Sequence, residues 1–463
     1  MNVFSDRRAR LAQALHAAGG GVAVIPTAPE RQRNNDNDHP YRHDSSFHYL
    51  TGFGEPGAWL VLTASGESTL LCREKDPAME IWDGLRLGPA AAPAALGVSG
   101  ACDVATLDSV MPELLAEQPA VWFPFGVHAS LSMQVDGWLA TLRTRARRGV
   151  QAPASQRDLS PLLAELRLRK DTEELALMRS AASISAGAHA RAMRFCGQRF
   201  RATPQGSVRE YEIEAELLHE FRRHGAQSPA YPSIVAAGAN ACILHYAAGS
   251  TELRAGELCL IDAGCELDGY ASDITRTFPA DGRFTPAQRE LYDIVLAAQD
   301  AAAAATRPGA RQRDAHHAAV RVLVQGMLDT GLLDRQTVGD VDAVIESAAY
   351  RQFYMHGTGH WLGRDVHDVG DYVSHGEAPV EQADGLGNAV QMPPSRKLEP
   401  GMVVTLEPGI YVRPAPGVPE RYWNIGIRIE DDAVVTEAGC ELISRGVPVA
   451  ATEIEKLMQE GSR

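Results

Sequence analysis

The sequence is poor in cysteine, and its cysteines do not pair in any familiar spacing. Only seven occur in 463 residues, and none forms a CxxC pair. So few and so scattered, they cannot supply a disulfide scaffold. We therefore expect reduced thiols, as in a cytoplasmic protein.

Long apolar runs and an excess of positive charge are also missing. The first twenty residues carry charges but no uninterrupted apolar segment, which argues against a secretory signal. The Ala-rich run from Ile294 to Thr306 is interrupted by Gln299 and Asp300 and is too short to cross a bilayer. A formal net charge of −15 argues against nucleic acid or an anionic membrane as partner. The expected location is the cytoplasm.

The chain is long enough for two or three domains. Short apolar strands alternate with helical stretches from about residue 21, which predicts an α/β domain over residues 1–172. A Pro/Ser/Ala-rich loop then leads into a charged helix whose start lies near Asp171 and Thr172. A second domain, mixed in helix and strand, is expected over residues 173–463.

The second domain has recognisable helical and strand patterns. Its strands are expected around residues 259–278, 401–412 and 425–436, and the segment His375–Pro394 is expected to be an exposed loop. Helices are predicted at Glu173–Met193, Ser207–His224, Pro286–Ala305, Asp314–Leu332 and Thr452–Glu460.

Two aspartates lie in an otherwise apolar, strand-like stretch, Cys259–Phe278. The pair Asp268-Gly269 is typical of a two-residue hairpin turn. The register that this turn sets places Asp262 opposite Thr275, with Asp273 on the same face as a diagonal neighbour about 7–8 Å away. Buried carboxylates need a partner. The stretch predicts either a shared metal cluster or the exposed polar face of an ordinary hairpin.

Further donors lie in three later segments. The run "FYMHGTGHWLGRDVHDVG" holds His356, His360 and His367 among glycines that disfavour a helix, and it is either a ligand loop or a loop with incidental histidines. "VVTLEPG" ends a strand at Glu407, and in "GIRIEDD" the residues Arg428 and Glu430 alternate with isoleucines. Taken singly, these charged groups are equally typical of salt bridges.

Together, four carboxylates and one imidazole point to metal: Asp262, Asp273, His360, Glu407 and Glu430. This oxygen-rich set suits Mn²⁺, Mg²⁺ or Co²⁺, and it holds more acids than one divalent ion recruits. Two ions about 3.5–4 Å apart would neutralise them.

At this point the sequence resembles a known family. The runs "HGTGHWLGRDVHD", "IDAGCELDGYASDITRTF", "TLEPGIY" and "IRIEDD" are similar to those of the pita-bread metallopeptidases, and within them to the Xaa-Pro aminopeptidases (aminopeptidase P). "HPYRHDSSFHYLTGFGEPGAWLVL" and "EIWDGLRLGPAAAPAALGV" resemble the N-terminal domain of the bacterial enzymes. Two departures are Arg364, where the family is usually apolar, and the insert at 375–394; either could alter access to the cleft.

The resemblance implies a role for each matching residue. Asp262 would hold one metal, Asp273 and Glu430 would bridge both, and His360 and Glu407 would complete the other. Beyond the ligands, the resemblance assigns substrate contact or orientation to a second set: the histidines His245, His356 and His367, with Arg428, Tyr411 and Trp82. For Trp82 a place in a hydrophobic core is an equal alternative.

The expected reaction is hydrolysis of the bond between an N-terminal residue and a following proline. Two divalent ions, Mn²⁺ or else Co²⁺ or Zn²⁺, would lower the pKa of a bridging water and yield a hydroxide that attacks the carbonyl. Glu407 is the candidate proton shuttle. The alternatives are a prolidase acting on Xaa-Pro dipeptides, a methionine aminopeptidase and a metal-free binding protein. The resemblance also implies a homo-oligomer, dimer or tetramer, in which Trp82 is lent to a neighbouring site.

Overall fold

The computed structural model describes residues 2–383 and 388–460. It divides into two compact units, Met1–Arg167 and Leu168–Arg463. Within the described residues, every helix is too short or too polar to cross a membrane.

The N-terminal unit is built on a mixed six-stranded sheet in the order β6-β5-β4-β1-β7-β8. Strand β1 pairs antiparallel with β4 and parallel with β7, so helices must return the chain across the sheet. Its strands are β1 (Val22–Pro26), β2 (Gln32–Asn34), β3 (Asn37–Asp38), β4 (Trp59–Thr63), β5 (Ser68–Cys72), β6 (Gly100–Asp103), β7 (Ala120–Phe123) and β8 (Ser155–Asp158).

Helices cover both faces of this sheet, and two apolar cores result. One core includes Leu15, Ile25 and Leu60, and the other includes Val24, Val61 and Val135. Neighbouring strand residues point to opposite faces, which is why Val24 and Ile25 belong to different cores. The helices are α1 (Val3–Ala17), α2 (Ser45–Thr51), α3 (Pro77–Asp83), α4 (Ala92–Leu96), α5 (Leu107–Leu115), α6 (Leu131–Thr144) and α7 (Ser160–Leu168).

The C-terminal unit begins with a helix whose start the sequence predicts correctly. Asp171 accepts hydrogen bonds from the backbone N–H groups of Glu173 and Glu174, and Glu174 accepts one from the N–H of Asp171. The helices are α8 (Thr172–Ala202), α9 (Glu210–Arg223), α10 (Pro286–Ala305), α11 (Gln312–Asp329), α12 (Arg335–Val338), α13 (Val341–Glu346) and α14 (Ala451–Gln459).

One predicted helix is wrong at its start. Residues Ser207–Arg209 form a strand, because they pair antiparallel with Glu252–Arg254, and the helix begins only at Glu210. The predicted loop at 375–394 also contains paired strands, Val380–Ala383 with Ala389–Met392, while residues 384–387 of that prediction lie outside the described residues. In the first case the partner strand is distant in sequence, which local pattern does not reveal, whereas the two strands within 375–394 are close in sequence and pair with each other.

The strands of this unit form small antiparallel sheets of two or three strands. They are β9 (Ser207–Arg209), β10 (Ser228–Pro229), β11 (Ile234–Ala237), β12 (Glu252–Arg254), β13 (Leu258–Asp262), β14 (Cys265–Leu267), β15 (Tyr270–Ala271), β16 (Thr275–Pro279), β17 (Val380–Ala383), β18 (Ala389–Met392), β19 (Val403–Leu406), β20 (Gly409–Val412), β21 (Ile425–Arg428), β22 (Asp431–Val435) and β23 (Cys440–Leu442). The sheets relevant to the site are β11-β13-β16, β19-β22-β23 and β20-β21.

The hairpin predicted at Asp268-Gly269 is confirmed. Both residues have positive φ, 49° and 77°, as a tight hairpin turn requires, and Leu267 pairs with Tyr270. Further along, Asp262 pairs with Thr275, in the predicted register. Asp262 is the last residue of β13, and Asp273 lies just before β16 rather than inside a strand.

The histidine-rich run is a loop that follows the edge of β19. The N–H of Thr405 donates to the carbonyl of His360, and the N–H of Glu407 donates to the carbonyl of Thr358. A Cβ on Gly359 would lie 1.8 Å from the carbonyl oxygen of Thr405, so only glycine permits this approach. The backbone of this loop thereby brings His360 next to Glu407.

Candidate active site

Three predicted ligands form a compact set of donors. Among the described residues, ligand atoms of Asp273, His360 and Glu430 all lie within 4.8 Å of one another. Nε2 of His360 is 3.5 Å from Oδ2 of Asp273 and 4.0 Å from Oε1 of Glu407. Nδ1 of His360 bonds the carbonyl of Trp361 at 3.0 Å, which fixes the ring with Nε2 directed to the acids.

Asp262 joins this set through a tyrosine. The hydroxyl of Tyr231, in the connection between β10 and β11, lies 2.6 Å from Oδ1 of Asp262 and 2.5 Å from Oδ1 of Asp273. The pairing of Ile234 with Asp262 brings this connection beside the end of β13. All five predicted ligands therefore lie at one site, formed from three sheets and the histidine loop.

Arg428 ties several of these groups together. Its Nη2 donates to Oδ2 of Asp262 at 2.6 Å, its Nη1 to the hydroxyl of Tyr411 at 3.0 Å, and its Nε to Oγ1 of Thr275 at 3.2 Å. Thr275 in turn donates to Oε2 of Glu430 at 2.7 Å. One buried guanidinium thus fixes two of the acids, Asp262 directly and Glu430 through Thr275.

The second side of the site is aromatic. The hydroxyl of Tyr411 lies 2.8 Å from Nε2 of His356, and Nδ1 of His356 lies 2.7 Å from the carbonyl of Gly357 and 3.6 Å from Oε2 of Glu407. Burial lowers the pKa of His356 to about 3, and burial raises the pKa of Tyr411 to about 12. Tyr411 is therefore the donor to a neutral imidazole, whose proton is on Nδ1.

Two more of the predicted histidines lie at the exposed side of the centre. The rings of His360 and His367 are 4.2 Å apart, and burial together with the charges of His360 and His245 lowers the pKa of His367. His245 and His367 are both exposed. Both imidazoles are consequently accessible to a ligand at the acidic centre.

The electrostatics of the centre call for positive charge. Burial and the neighbouring carboxylates raise the pKa of Asp273 and of Glu430, and burial raises that of Glu407 to about 7. Burial lowers the pKa of His360, but the hydrogen bond and charge of Asp273 outweigh it and raise that pKa to about 9. Each of these shifts opposes a build-up of negative charge, which divalent cations would neutralise. Oxygen donors with one imidazole fit hard divalent ions.

A buried shell of acids and arginines supports the ligand backbone. The carboxylate oxygens of Asp432 accept from the backbone N–H of Asp273 at 3.2 and 3.3 Å. Arg276 donates to Asp431 at 2.7 Å and to the carbonyl of Glu430 at 2.6 Å. These bonds hold the backbone in place at two of the predicted ligands, Asp273 and Glu430.

Two further residues are singled out in the sequence, Trp82 as a pocket wall and Arg364 as a departure from the family pattern. Trp82 belongs to the N-terminal unit, on α3, and its surface is 82% exposed, so a place for it in the hydrophobic core is wrong. The guanidinium of Arg364 is buried over the ring of Tyr270, 4.6 Å from its centre. A role for Trp82 as a pocket wall remains a prediction.

Sequence reasoning missed three polar neighbours of the ligands: Tyr231, Thr275 and Asp432. Thr275 could have been found, because the hairpin register places it opposite Asp262. Asp432 had a weaker signal as an extra acid in "IEDD". Tyr231 had none, because it reaches the site only through the pairing of β11 with β13.

Comparison with known proteins agrees with this geometry. Residues 176–437 match the profile of Metallopeptidase family M24, and residues 4–122 match that of the Aminopeptidase P, N-terminal domain. The Xaa-Pro aminopeptidase of Escherichia coli is 44% identical over 459 residues, covering 98% of this chain and 97% of the relative. That of Haemophilus influenzae is 41% identical over 458 residues, with 98% and 96% covered.

Solved structures give the same result. The aminopeptidase PepP of Pseudomonas aeruginosa matches with a TM-score of 0.89 at 45% identity, covering 98% of both chains. Aminopeptidase P from Escherichia coli also matches with a TM-score of 0.89, at 44% identity and with 98% and 97% covered. The expected fold class, an α/β N-terminal domain followed by an α+β pita-bread catalytic domain, is confirmed. The chain therefore belongs to metallopeptidase family M24, whose members depend on divalent metal ions, and it carries the aminopeptidase P N-terminal domain.

Proposed function

We propose that this protein is a dinuclear-metal aminopeptidase that releases an N-terminal residue from peptides with proline in the second position. The observation that carries the proposal is the convergence of Asp273, His360 and Glu430 within 4.8 Å, beside Asp262 and Glu407. The substrate class is supported by the names of the relatives, which are Xaa-Pro aminopeptidases. These names favour this activity over that of a prolidase.

Five residues would hold two divalent ions, with Mn²⁺ first and Co²⁺ or Zn²⁺ as substitutes. Asp262 would serve one ion, His360 and Glu407 the other, and Asp273 and Glu430 would bridge them. When bound, such ions supply Lewis acidity, which lowers the pKa of a water nucleophile and polarises the scissile carbonyl. The raised pKa values of the acids agree with this assignment, since each acid gains from a nearby cation.

The remaining side chains would orient the peptide and move protons. His245 and His367 are accessible imidazoles that can donate to the oxygen of the tetrahedral intermediate. Glu407, through Oε2, would take a proton from the attacking water and deliver it to the proline nitrogen. That nitrogen must gain a proton to leave as a secondary amine, and the proton that Glu407 takes from the water would meet this need. A proline ring offers no donor and would be recognised by packing, for which His356 and Tyr411 supply flat faces.

Arg428 would act without touching the reacting atoms. Its bonds to Asp262, Tyr411 and Thr275 place it behind the acids, so it orients them and keeps Tyr411 directed toward His356. We assign it a positioning role.

Assembly and location complete the proposal. A largely exposed Trp82 on α3, near exposed Ile81 and Leu85, supports a homo-oligomer, dimer or tetramer, in which Trp82 contributes to a neighbouring site. The seven free cysteines support a cytoplasmic location. Light scattering of the parent and of Trp82→Ala tests the assembly: a smaller species for the variant is expected, and a monomeric parent would contradict it.

The decisive experiment combines metal content with substrate length. Metal is measured on the purified protein, and release of the first residue is followed from a Xaa-Pro-Xaa tripeptide beside a Xaa-Pro dipeptide, with and without Mn²⁺. Two ions per chain with metal-dependent tripeptide cleavage are expected. Cleavage of the dipeptide alone would make the protein a prolidase, and no bound metal with no turnover would refute the proposal.

A further inference from the structure

A carboxylate outside the acidic centre is buried at the start of α9. Glu210 is the first residue of this helix, and it is fully buried. A buried carboxylate is strongly unfavourable unless hydrogen-bond donors surround it. The donors around Glu210 therefore identify the part of the chain that this residue holds in place.

Four donors from one later segment surround the carboxylate. Oε1 accepts from the N–H of Ala237 at 2.9 Å and from Nδ2 of Asn240 at 3.0 Å. Oε2 accepts from the hydroxyl of Tyr246 at 2.9 Å and from the N–H of Gly249 at 3.0 Å. A carboxylate only accepts hydrogen bonds, so it matches four donors. Both oxygens thus bind residues 237–249, which we call the His245 segment.

The backbone at the start of α9 joins the same part of the chain. The first N–H groups of a helix have no partner within that helix. Here the N–H of Glu210 donates to the carbonyl of Thr251 at 3.1 Å. The N–H of Tyr211 donates to the carbonyl of Gly249, also at 3.1 Å. Carboxylate and backbone together fix the helix to the His245 segment and to the residues just after it.

His245 lies between the points at which this segment is held. Two of the four donors precede it in the chain, and two follow it. Its neighbours Leu244 and Tyr246 pack against the apolar cluster that includes Tyr411. His245 itself is exposed. The imidazole therefore takes its place from the backbone of its own segment, which Glu210 holds on both sides.

The His245 segment adjoins the candidate active site through Tyr411. The hydroxyl of this tyrosine lies 2.8 Å from Nε2 of His356 and 3.0 Å from Nη1 of Arg428. A displacement of about 1 Å in a group that acts on the transition state can lower the rate about 100-fold. Small movements of the segment would consequently affect catalysis.

We propose that Glu210 is a positioning residue for His245, which it holds where the imidazole can donate to the oxygen of the tetrahedral intermediate. The inference rests on the proposed function, because that function gives His245 its role. Among the described residues, the carboxylate of Glu210 bonds the His245 segment and none of the five predicted metal ligands. It therefore acts on the chemical step and not on metal binding.

The variant Glu210→Gln tests this role by kinetics. It keeps the size of the side chain but replaces one acceptor oxygen with an amide group, which cannot accept from an N–H. At saturating Mn²⁺, kcat for a Xaa-Pro-Xaa tripeptide is expected to fall about tenfold with KM within about twofold, because His245 acts in the transition state. Calorimetry should give the parent affinity for Mn²⁺.

Glu212→Gln is the matched control. Glu212 lies in the same helical turn, but its carboxylate accepts from the N–H of Arg209 and from Nη2 of Arg199. Because neither partner belongs to the His245 segment, kcat should keep its parent value.

Hydrogen exchange followed by mass spectrometry gives a readout that needs neither metal nor turnover. The peptide that contains Ala237 and Gly249 should exchange about fivefold faster in Glu210→Gln than in the parent or in Glu212→Gln, because two of its N–H groups lose an ionic acceptor. Asn240→Ser, which removes a single donor, keeps the test open should Glu210→Gln fail to fold, and its kcat should fall about threefold. Unchanged exchange in a folded Glu210→Gln would overturn the inference.

A double variant separates positioning from a general loss of structure. In the His245→Ala background, Glu210→Gln should lower kcat by less than about twofold, because the imidazole that it positions is already absent. The same loss in both backgrounds, or a parent kcat in Glu210→Gln, would overturn the inference while tripeptide cleavage by the parent still supported the proposed function. A parent that releases no residue from any Xaa-Pro peptide would overturn both.

Discussion

The hydroxyl of Tyr231 lies 2.6 Å from Oδ1 of Asp262 and also contacts Asp273, so one phenol connects two predicted metal ligands. Burial and the surrounding carboxylates raise its pKa well above the usual value, so it remains a donor. It therefore holds the two carboxylates in a fixed relation that a metal pair can use.

We expect Tyr231→Phe to weaken metal binding by about 10–100-fold, because a partner that orients ligands is lost while the ligands remain. Calorimetric titration with Mn²⁺ measures the affinity, and activity at saturating metal should recover most of its parent value. Tyr246→Phe, which removes a hydroxyl bonded to Glu210 away from the acids, is the matched control. An unchanged affinity for Mn²⁺ would mean that Tyr231 has no such role.

Removal of a ligand should have a stronger effect. We expect Asp262→Ala or His360→Ala to reduce turnover of a Xaa-Pro-Xaa peptide to below about 1% of the parent. Removing a residue that binds the metal should weaken metal binding more than removing a residue that only orients the ligands. Metal content by mass spectrometry should fall in parallel. Activity retained in metal-replete buffer by either variant would contradict the assignment of the ligands.

The sequence predicted those features of the site that are determined by residues close together in the chain. The turn at Asp268-Gly269 sets its own register, and that register placed Asp262 opposite Thr275. The start of α8 was equally local, because Asp171 and Glu174 form a capping box within four residues. Such features need only neighbours in sequence.

The rest required contacts between distant segments. Ser207–Arg209 continues the pattern of α9 but forms a strand, because Glu252–Arg254 pairs with it. Tyr231 reaches Asp262 through a strand pairing, and Arg428 connects Tyr411, in its own sheet, with Thr275 in a second sheet. No local periodicity encodes these distances, which tertiary packing determines.

A buried ion pair follows directly after His367. Nζ of Lys170 lies 2.9 Å from Oδ2 of Asp368, and both side chains are 1% exposed. We expect Lys170→Met to lower the free energy of unfolding by about 3–5 kcal/mol, because it leaves a buried carboxylate without its ammonium partner. Urea unfolding measures the change.

Two comparisons make this prediction specific. The double variant Lys170→Met/Asp368→Leu should lose less stability than Lys170→Met alone, since the buried carboxylate that lost its ammonium is removed as well. Arg321→Met breaks the exposed pair with Asp342, which is 2.7 Å long, and should cost less than about 1 kcal/mol. Equal losses for the buried and exposed pairs would contradict the argument.

A second buried group makes stability depend on pH. Nε2 of His189 bonds the carbonyl of Ala263 at 2.9 Å, and its Nδ1 is buried with no hydrogen-bond partner among the described residues. Protonation would place an unsatisfied N–H in the core, so burial lowers the pKa of His189 from 6.5 to about 4. Between these values the unfolded chain binds more protons than the folded one.

Stability should therefore fall as the pH is lowered from about 6.5 to about 4, and His189 accounts for up to about 3 kcal/mol of that loss. His189→Gln keeps a donor for Ala263 but cannot be protonated, so the gap in unfolding free energy between parent and variant should change across this range and stay constant above it. Urea unfolding at several pH values, in metal-free buffer, measures the gap. Parallel curves for the two proteins would show that His189 is protonated as readily in the folded chain as in the unfolded one.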